Sequence, residues 1–273
     1  MVLYAGFVIY PLIQGVWISL FEWDGFSVAT WVGLENYRSI LTDSALRAGF
    51  GRAVVLIVFY SIIPIALGLL ITAILSSRPM RGASIYRTIL FVPQVLPIIV
   101  IGIVWRWMYN PDGPINAALT SIGLASLARG WLGDFTLALP AVGLVGSWVS
   151  IGFIMVLMLA GVQQISRDLY DAARVDGAGR VQEFFAVTLP GLRNQLVVAV
   201  MVTVITAFRA FGLIFTMTTG GPGTETTVPA WQVYTTTFRF FQVGLGTALG
   251  ISLALVIFGI VSALRWLLER GER

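Results

Sequence analysis

The sequence LALPAVGLVGSWVSIGFIMVLMLAG, residues 137–161, contains no charged side chain. A helix needs about 20 mostly apolar residues to cross the hydrocarbon core of a bilayer, so this run is long enough to span a membrane. The rest of the chain has the same character, because 58% of its 273 residues are hydrophobic and only 11% are charged. A soluble domain carries about 25% charged residues. The composition therefore predicts an all-α membrane protein.

Hydropathy predicts six membrane-spanning helices within one domain, residues 1–273. The six apolar runs are 2–21, 52–75, 86–108, 137–161, 194–217 and 245–268. The first run has no charged lead-in and no small-residue cleavage site after it, so we expect a membrane helix and not a signal peptide. An even number of spans places both termini on the same side of the membrane.

The arginines orient this bundle. Ten of the 17 lie in the termini or in the connections near 76–87 and 162–193, whereas six lie in the opposite connections. Positive residues are in excess on the cytoplasmic side of membrane proteins. We therefore expect a multi-pass protein of a bacterial cell membrane with both termini in the cytoplasm.

The absence of certain residue types limits the chemistry. The chain contains no Cys and no His, which removes thiol chemistry and the commonest general base and metal ligand. We find no candidate catalytic residues and no metal ligands, and an enzyme is disfavoured. No GxxxxGK[ST] sequence is present, so the chain has no phosphate-binding loop of its own. The net charge of +4 does not indicate nucleic-acid binding, because the arginines are scattered between apolar runs.

The most highly charged connection is LYDAARVDGAGRVQEFFAVTLPGL, residues 169–192. Ser166 is a good helix N-cap and Asp168 falls in the first turn that follows. Gly177 and Gly179 end this helix, and a shorter amphipathic run continues to Pro190. The pattern predicts a helix, a glycine turn and a second helix on the inner face of the membrane.

Two interpretations of this connection remain open from its physical chemistry. It is either an interfacial helix pair that only joins two spans, or a docking surface for a partner protein. Docking is favoured by a shallow surface of small residues between charges. Those small residues are Ala172, Ala173, Gly177 and Ala178.

The segment DAARVDGAGRVQEFFAVTLP, residues 171–190, resembles the E-A-A-x3-G-x9-I-x-L-P signature of ABC importer permease subunits. Asp replaces Glu and Val replaces Ile, and the spacing matches throughout. The resemblance implies that the loop of about 163–190 contains a coupling helix that docks into an ATP-hydrolysing subunit. The implied coupling residues are Asp171, Ala172, Ala173, Asp176, Gly177, Ala178, Leu189 and Pro190.

Other segments resemble the carbohydrate-uptake branch of these permeases, which includes the maltose and glycerol-phosphate permeases. They are WVGLENYRSIL (31–41), RTILFVPQVLPIIVIGIVWRWMYNPDGPIN (87–116), GWLGD (130–134) and FTMTTGGPGTETT (215–227). The resemblance implies the type I ABC importer permease fold in a membrane lipid environment. It also implies three kinds of partner: a second permease subunit in a heterodimer, two ATP-binding subunits that hold ATP and Mg, and an extracytoplasmic solute-binding protein.

Polar and aromatic side chains within the spans mark a candidate substrate pathway, because such groups are costly in a membrane unless they serve a function or a partner. The candidates are Gln94, Trp148, Ser150, Phe153, Thr203, Thr206 and Arg209. In the maltose-permease relatives, the matching lining also includes the positions of Ala207 and Ala210. Amides stand there in the maltose-type site, so the small residues imply a different sugar or contacts supplied by the paired subunit.

Local roles are the alternative for these side chains. Ser and Thr hydroxyls in membrane helices often bond only to the preceding turn or to a neighbouring helix. Arg209 either contacts the substrate or pairs with a carboxylate on a partner subunit. The substrate itself is left open between a di- or oligosaccharide, an amino sugar and glycerol-3-phosphate. An autonomous secondary transporter is the alternative of a different class, but it would need carboxylates within the spans, and the six runs contain none well inside.

Overall fold

The computed structural model describes residues 2–76 and 82–269, which are predominantly helical. The first helix, α1, covers residues 2–18 and contains one wider turn at Ala5–Ile9. Two short strands, β1 (Phe21–Glu22) and β2 (Thr30–Trp31), then pair antiparallel with Phe21 opposite Trp31. The helix α2 (Glu35–Thr42) follows them. This hairpin and α2 form a small cap at one end of the bundle.

The remaining helices follow in chain order. They are α3 (Ser44–Leu75), α4 (Ser84–Val95), α5 (Ile98–Met108), α6 (Pro114–Ser121), α7 (Ala138–Val162), α8 (Arg167–Val175), α9 (180–191), α10 (Arg193–Phe208), α11 (Gly212–Met217), α12 (Pro229–Tyr234) and α13 (Val243–Glu269). A wider helical turn, Thr235–Arg239, continues α12. A short 3-10 turn, Ala125–Leu127, lies between α6 and α7.

Four helical segments of the described chain are long and apolar enough to cross a membrane. They are α3, α7, the combined α10–α11 segment Arg193–Met217, and Val243–Trp266 of α13. These four agree with four of the six predicted runs. The apolar part of α1, Ala5–Ile18, is shorter than a full span.

The third predicted run, 86–108, is divided into two helices by a sharp bend. The helices α4 and α5 meet at an angle of 98°. The cause is Pro97, because a residue before proline is pushed out of the helical region by the proline ring. Leu96 accordingly has extended backbone angles, φ −72° and ψ 143°, and Pro97 caps the start of α5. If the bent pair crosses as one unit, the number of apolar crossings becomes five.

The helix α7 lies at the centre of the bundle. Val142, Val145, Ile154, Met155 and Met158 are completely buried along its length. Full burial of a large apolar side chain stabilises the fold by about 1.5–3 kcal/mol. Because five such side chains are buried along it, α7 is the principal core element of the bundle. Small residues bring those neighbours close.

Glycines determine how closely the neighbours of α7 approach it. A methyl group added at Gly146 would overlap the ring of Tyr60 in α3, and one added at Gly152 would lie 2.8 Å from the Cα atom of Phe91 in α4.

Asp134 lies just before the start of α7. Its carboxylate accepts hydrogen bonds from the backbone of Thr136 (2.7 Å) and Leu137 (3.0 Å). Hydrogen bonds from Thr136 and Leu137 lower the pKa of Asp134 and stabilise its charged form at the start of the helix.

Candidate functional site

The charged connection between α7 and α10 forms the helix, turn and helix that its sequence predicts. The hydroxyl of Ser166 accepts a hydrogen bond from the backbone of Asp168 (3.3 Å) and caps α8. The helix ends at Val175, with Asp176 as its C-cap, and Gly177 has a φ of +83°. This left-handed conformation favours glycine and reverses the chain. The backbone of Gly179 then donates to the side chain of Gln182 (2.7 Å), which fixes the start of α9.

Two side-chain contacts hold α8 against α9. The guanidinium of Arg174 donates to Glu183 at 2.6 Å and lies 3.2 Å from Asp171. The hydroxyls of Tyr170 and Thr188 are 3.0 Å apart. Glu183, and then Asp171, raises the pKa of Arg174. These contacts join α8 to α9 and so form a brace between the two helices that flank the turn at Gly177.

The two faces of α8 have different surroundings. Tyr170 and Arg174, four residues apart, face α9. The opposite face is exposed and combines apolar and small side chains with one carboxylate. Its members are Leu169, Ala172, Val175 and Asp176. Val175 is 88% exposed and Leu169 is 55% exposed, so this face displays two apolar side chains on an otherwise charged helix.

The other predicted coupling residues are placed as follows. Asp171 and Gly177 are exposed, whereas Ala173 and Ala178 are half-buried at the glycine turn. Leu189 is half-buried and Pro190 is exposed at the end of α9. Tyr170, Arg174, Glu183 and Thr188 were missed by the sequence analysis, although the i, i+3 spacing of Asp171 and Arg174 was a usable signal.

The predicted substrate-pathway residues of α4 and α7 lie on accessible surface. Gln94 is exposed beside the α4–α5 bend. Trp148 is 40% exposed and packs at 5.5 Å, edge to face, against Trp105 of α5. Ser150 and Phe153 are half-buried, and the Ser150 hydroxyl donates to the carbonyl of Gly146 in its own helix (2.8 Å).

The pathway residues of α10 divide into buried and exposed groups. Ala207 is completely buried and Ala210 is 7% exposed, so both pack within the core of this chain. Thr203 is also buried and bonds to Ala199 (2.7 Å) and to Ser61 of α3 (2.8 Å). The exposed Thr206 bonds to Val202 in the preceding turn (2.8 Å). Hydrogen bonds within this chain therefore account for the hydroxyls of Ser150, Thr203 and Thr206.

Arg209 lies at a break in the fifth predicted span. The helix α10 ends at Phe208, and α11 begins only at Gly212. The Arg209 side chain is exposed and makes no ion pair with any residue in 2–76 or 82–269. Because Arg209 lies between the two helices, its side chain is not held on the apolar face of a continuous helix.

An aromatic cluster follows this break and was not predicted as a unit. Its members are Phe211, Phe215, Trp231, Tyr234 and Phe238. Neighbouring ring centroids are 5.3–6.1 Å apart. Arg239 covers the ring of Trp231 at 5.5 Å. The cluster joins α11 to α12, and its residues are separated by a loop in sequence, which hid the grouping.

The Gly/Pro-rich loop 218–228 is tied to the bundle above this cluster. The hydroxyls of Thr218 and Thr226 are 2.7 Å apart, which closes the loop on itself. Glu225 forms an ion pair with Arg52 of α3 at 3.6 Å. The loop is therefore fixed both internally and to α3.

Long apolar helices around α7, with an exposed helix–turn–helix between two of them, are the architecture of a multi-pass membrane protein. Residues 65–271 match the family described as "Binding-protein-dependent transport system inner membrane component". The chain belongs to this family. It is a transport subunit of an ABC system and not an enzyme.

Individual relatives agree with this assignment. The chain is 35% identical to a probable ABC transporter permease protein, YurN, of Bacillus subtilis, over 93% of this chain and 88% of the relative. It is 33% identical to the diacetylchitobiose uptake system permease protein NgcF of Streptomyces coelicolor, over 97% of this chain and 78% of the relative. The fold matches a permease chain in the crystal structure of a bacterial alginate importer with a TM-score of 0.83, 22% identity and coverage of 98% and 92% of the two chains. The type I importer fold is thus the observed fold.

Proposed function

We propose that this chain is the transmembrane subunit of an ATP-driven importer that translocates a carbohydrate delivered by an extracytoplasmic binding protein. The observation that carries the proposal is the exposed, braced helix α8 in a chain that has no phosphate-binding loop. Such a chain needs a partner for ATP hydrolysis, and α8 offers the surface for it. The carbohydrate class is supported by the 33% identity with a diacetylchitobiose permease over nearly the whole chain.

The proposed assembly contains a second permease subunit, two ATP-binding subunits that hold ATP and Mg, and the binding protein. Membership of a binding-protein-dependent family supports the last of these. The small size of Ala207 and Ala210 supports a heterodimer, because a different partner permease can supply the polar contacts that these positions lack.

In this proposal the chain crosses the membrane six times, with both termini in the cytoplasm. The crossings are α1, α3, the bent α4–α5 pair, α7, the α10–α11 segment and α13. The excess of arginines at the termini and in the connections 76–87 and 162–193 supports this orientation.

Motion passes from the partner to the pathway through short, stiff connections. Closure of the ATPase pair on ATP moves the exposed face of α8. The Arg174–Glu183 and Tyr170–Thr188 contacts carry that motion to α9. Since α9 ends at residue 191 and α10 begins at Arg193, the displacement reaches the helix that carries Thr203 and Thr206. Access to a site near the midplane then alternates between the two sides.

Glycerol-3-phosphate is the second candidate substrate, and Arg209 favours it. An exposed guanidinium without a carboxylate partner in the described chain suits a phosphate or a carboxylated sugar. An amino sugar remains a further option within the same class.

Reconstitution of the complete assembly tests the proposed function. With its binding protein, ATPase subunits and second permease in proteoliposomes, we expect uptake of a carbohydrate only when ATP is inside and the binding protein is outside. A matched vesicle that lacks the ATPase subunits is expected to show none. Uptake by this chain alone without ATP would instead make it a secondary transporter.

The contact between Arg174 and Glu183 gives a more local prediction. We expect Glu183→Gln to weaken the brace and lower uptake several-fold while ATPase activity without substrate is retained, because hydrolysis then moves α8 without moving α10. The measurement is the ratio of sugar transported to ATP hydrolysed. Arg174→Gln is expected to behave alike, and the double variant to be no worse than either single variant.

Additive losses in that double-variant cycle would show that the two side chains act separately. Glu35→Gln provides the control, because it removes the same charge from an exposed ion pair with Arg38 that lies within α2 and joins no two helices. We expect its transport ratio to equal that of the unmodified chain.

A further inference from the structure

A cleft of 1480 Å³ lies where α3 and α7 meet α8 and α9. One wall is the apolar end of α3, with Leu69, Leu70 and Ile74 lining it. Leu70 and Ile74 are 56% and 52% exposed, so this wall is continuous with the outer apolar surface of the helix. The cleft is thus apolar along α3 and reaches the charged connection of α8 and α9.

The cleft is also basic. Four arginines line it: Arg87, Arg167, Arg174 and Arg180. The carboxylates in the lining, Asp171 and Glu183, both pair with Arg174. The other three arginines form no ion pair within 2–76 and 82–269. The Nε atom of Arg87 is buried without a hydrogen-bond partner in that part of the chain.

We propose that this cleft binds an anionic phospholipid of the cytoplasmic leaflet, with its phosphate held by Arg87, Arg167 and Arg180 and its acyl chains along α3. Arginine recognises phosphate oxygens through paired N–H donors. Basic pockets beside cytoplasmic helix ends are typical sites for anionic headgroups. The inference rests on the proposed function only for the side of the membrane on which the cleft lies.

The exposed face of α8 that is proposed for ATPase docking lies apart from this site, although two of the predicted coupling residues, Asp171 and Leu189, also line the cleft. Tyr170 and Arg174 line the cleft, whereas Leu169, Ala172 and Val175 lie on the opposite side of the helix. A soluble partner that covers the outer face leaves the cleft accessible from the membrane. The aliphatic wall fits acyl chains, which a free phosphate or a polar protein segment would leave uncovered.

Native mass spectrometry of the complete transporter tests the proposal. The protein is equilibrated with equal amounts of dioleoyl phosphatidylglycerol and dioleoyl phosphatidylcholine, and the retained lipids are counted. We expect the unmodified transporter to prefer phosphatidylglycerol, and R87Q/R180Q to lose that preference by roughly 30-fold. R38Q/R47Q removes the same charge from exposed positions of α2 and α3 and is expected to keep it.

Each other outcome overturns the inference in a distinct way. An unchanged preference in R87Q/R180Q shows that the cleft is not the lipid site. Displacement of the lipid by inorganic phosphate alone shows a site for free phosphate. Loss of the ATPase subunits with the lipid preference intact shows that these arginines bind protein. Uptake is measured separately, so failure of ATP-driven transport in the unmodified complex counts against the proposed function and not against the lipid site.

A second measurement uses only the unmodified transporter, in case R87Q/R180Q does not assemble. Phosphatidylglycerol with a photoreactive diazirine in its acyl chain is crosslinked in the complex, and the labelled peptides are sequenced. We expect labels concentrated at residues 66–74 relative to the same probe on phosphatidylcholine. Equal labelling by both lipids contradicts the proposal.

Discussion

Gly177→Leu is expected to lower ATP-driven uptake by about 10-fold or more, and with it the stimulation of ATP hydrolysis by loaded binding protein. Gly177 has a φ of +83°, which costs a residue with a side chain about 1–2 kcal/mol. No atom lies within 4 Å of a Cβ placed there, so the new side chain meets nothing within the chain. It would instead project from the turn beside the exposed face of α8, where the ATPase subunit is proposed to dock.

Gly123→Leu is the matched control for this variant. Gly123 has a φ of +81°, and its Cβ position is equally open, but it lies after α6 on the opposite side of the predicted bundle. The two variants therefore share the backbone strain and differ in location. Uptake and ATPase stimulation in proteoliposomes are the measurements. Normal coupling in Gly177→Leu means that the coupling role of this turn is wrong, and equal losses in both variants mean that strain alone is responsible.

The turn at Gly177 was predictable because its signals are local. A capping serine, an acidic first turn and two glycines determine the ends of α8 within a dozen residues of chain, and the structure agrees. The apolar runs were predictable for a similar reason, since hydropathy adds up along one helix. Four of the predicted runs correspond to long apolar helices.

Direction changes within a run were harder to predict. Hydropathy averages over a window, so it predicts 86–108 as one span, and only Pro93 and Pro97 indicate kinks within it. The break at Arg209 has no proline, and Gly212 follows it as the first residue of α11. The aromatic cluster beyond the break was not predicted, because it brings together residues distant in sequence.

The substrate pathway was less predictable than the coupling loop for a different reason. Periodicity indicates that Thr203, Thr206 and Ala207 belong to one helix, but it does not indicate which face meets a neighbour in the same chain. The structure buries Thr203 and Ala207 and leaves Thr206 exposed. A pathway between two permease subunits also depends on side chains of the second chain, so the assignment of these residues stays a prediction.

The close contact between α4 and α7 gives the second large effect, and Gly152→Ala is expected to destabilise the protein. A Cβ at residue 152 would overlap the carbonyl oxygen of Leu90 and lie 2.8 Å from the Cα of Phe91. Both are backbone atoms, so no side chain can rotate away and the two helices must separate. Overpacking of this kind costs about 1–3 kcal/mol. We expect a lower apparent Tm of the detergent-solubilised transporter.

Gly51→Ala is the matched control, because Gly51 lies within the helix α3 and no atom is within 4 Å of its Cβ position. Alanine is favoured over glycine in a helix by about 1 kcal/mol, so this variant is expected to keep or raise the apparent Tm. Size-exclusion chromatography after heating measures the fraction of transporter that stays folded, and so gives the apparent Tm of both variants. Since Ser150 and Phe153 flank the contact, Gly152→Ala is also expected to lower uptake. An apparent Tm equal to that of the unmodified protein would mean that the separation between α4 and α7 is larger than in this structure. Gln94, which α4 carries, would then also lie farther from α7.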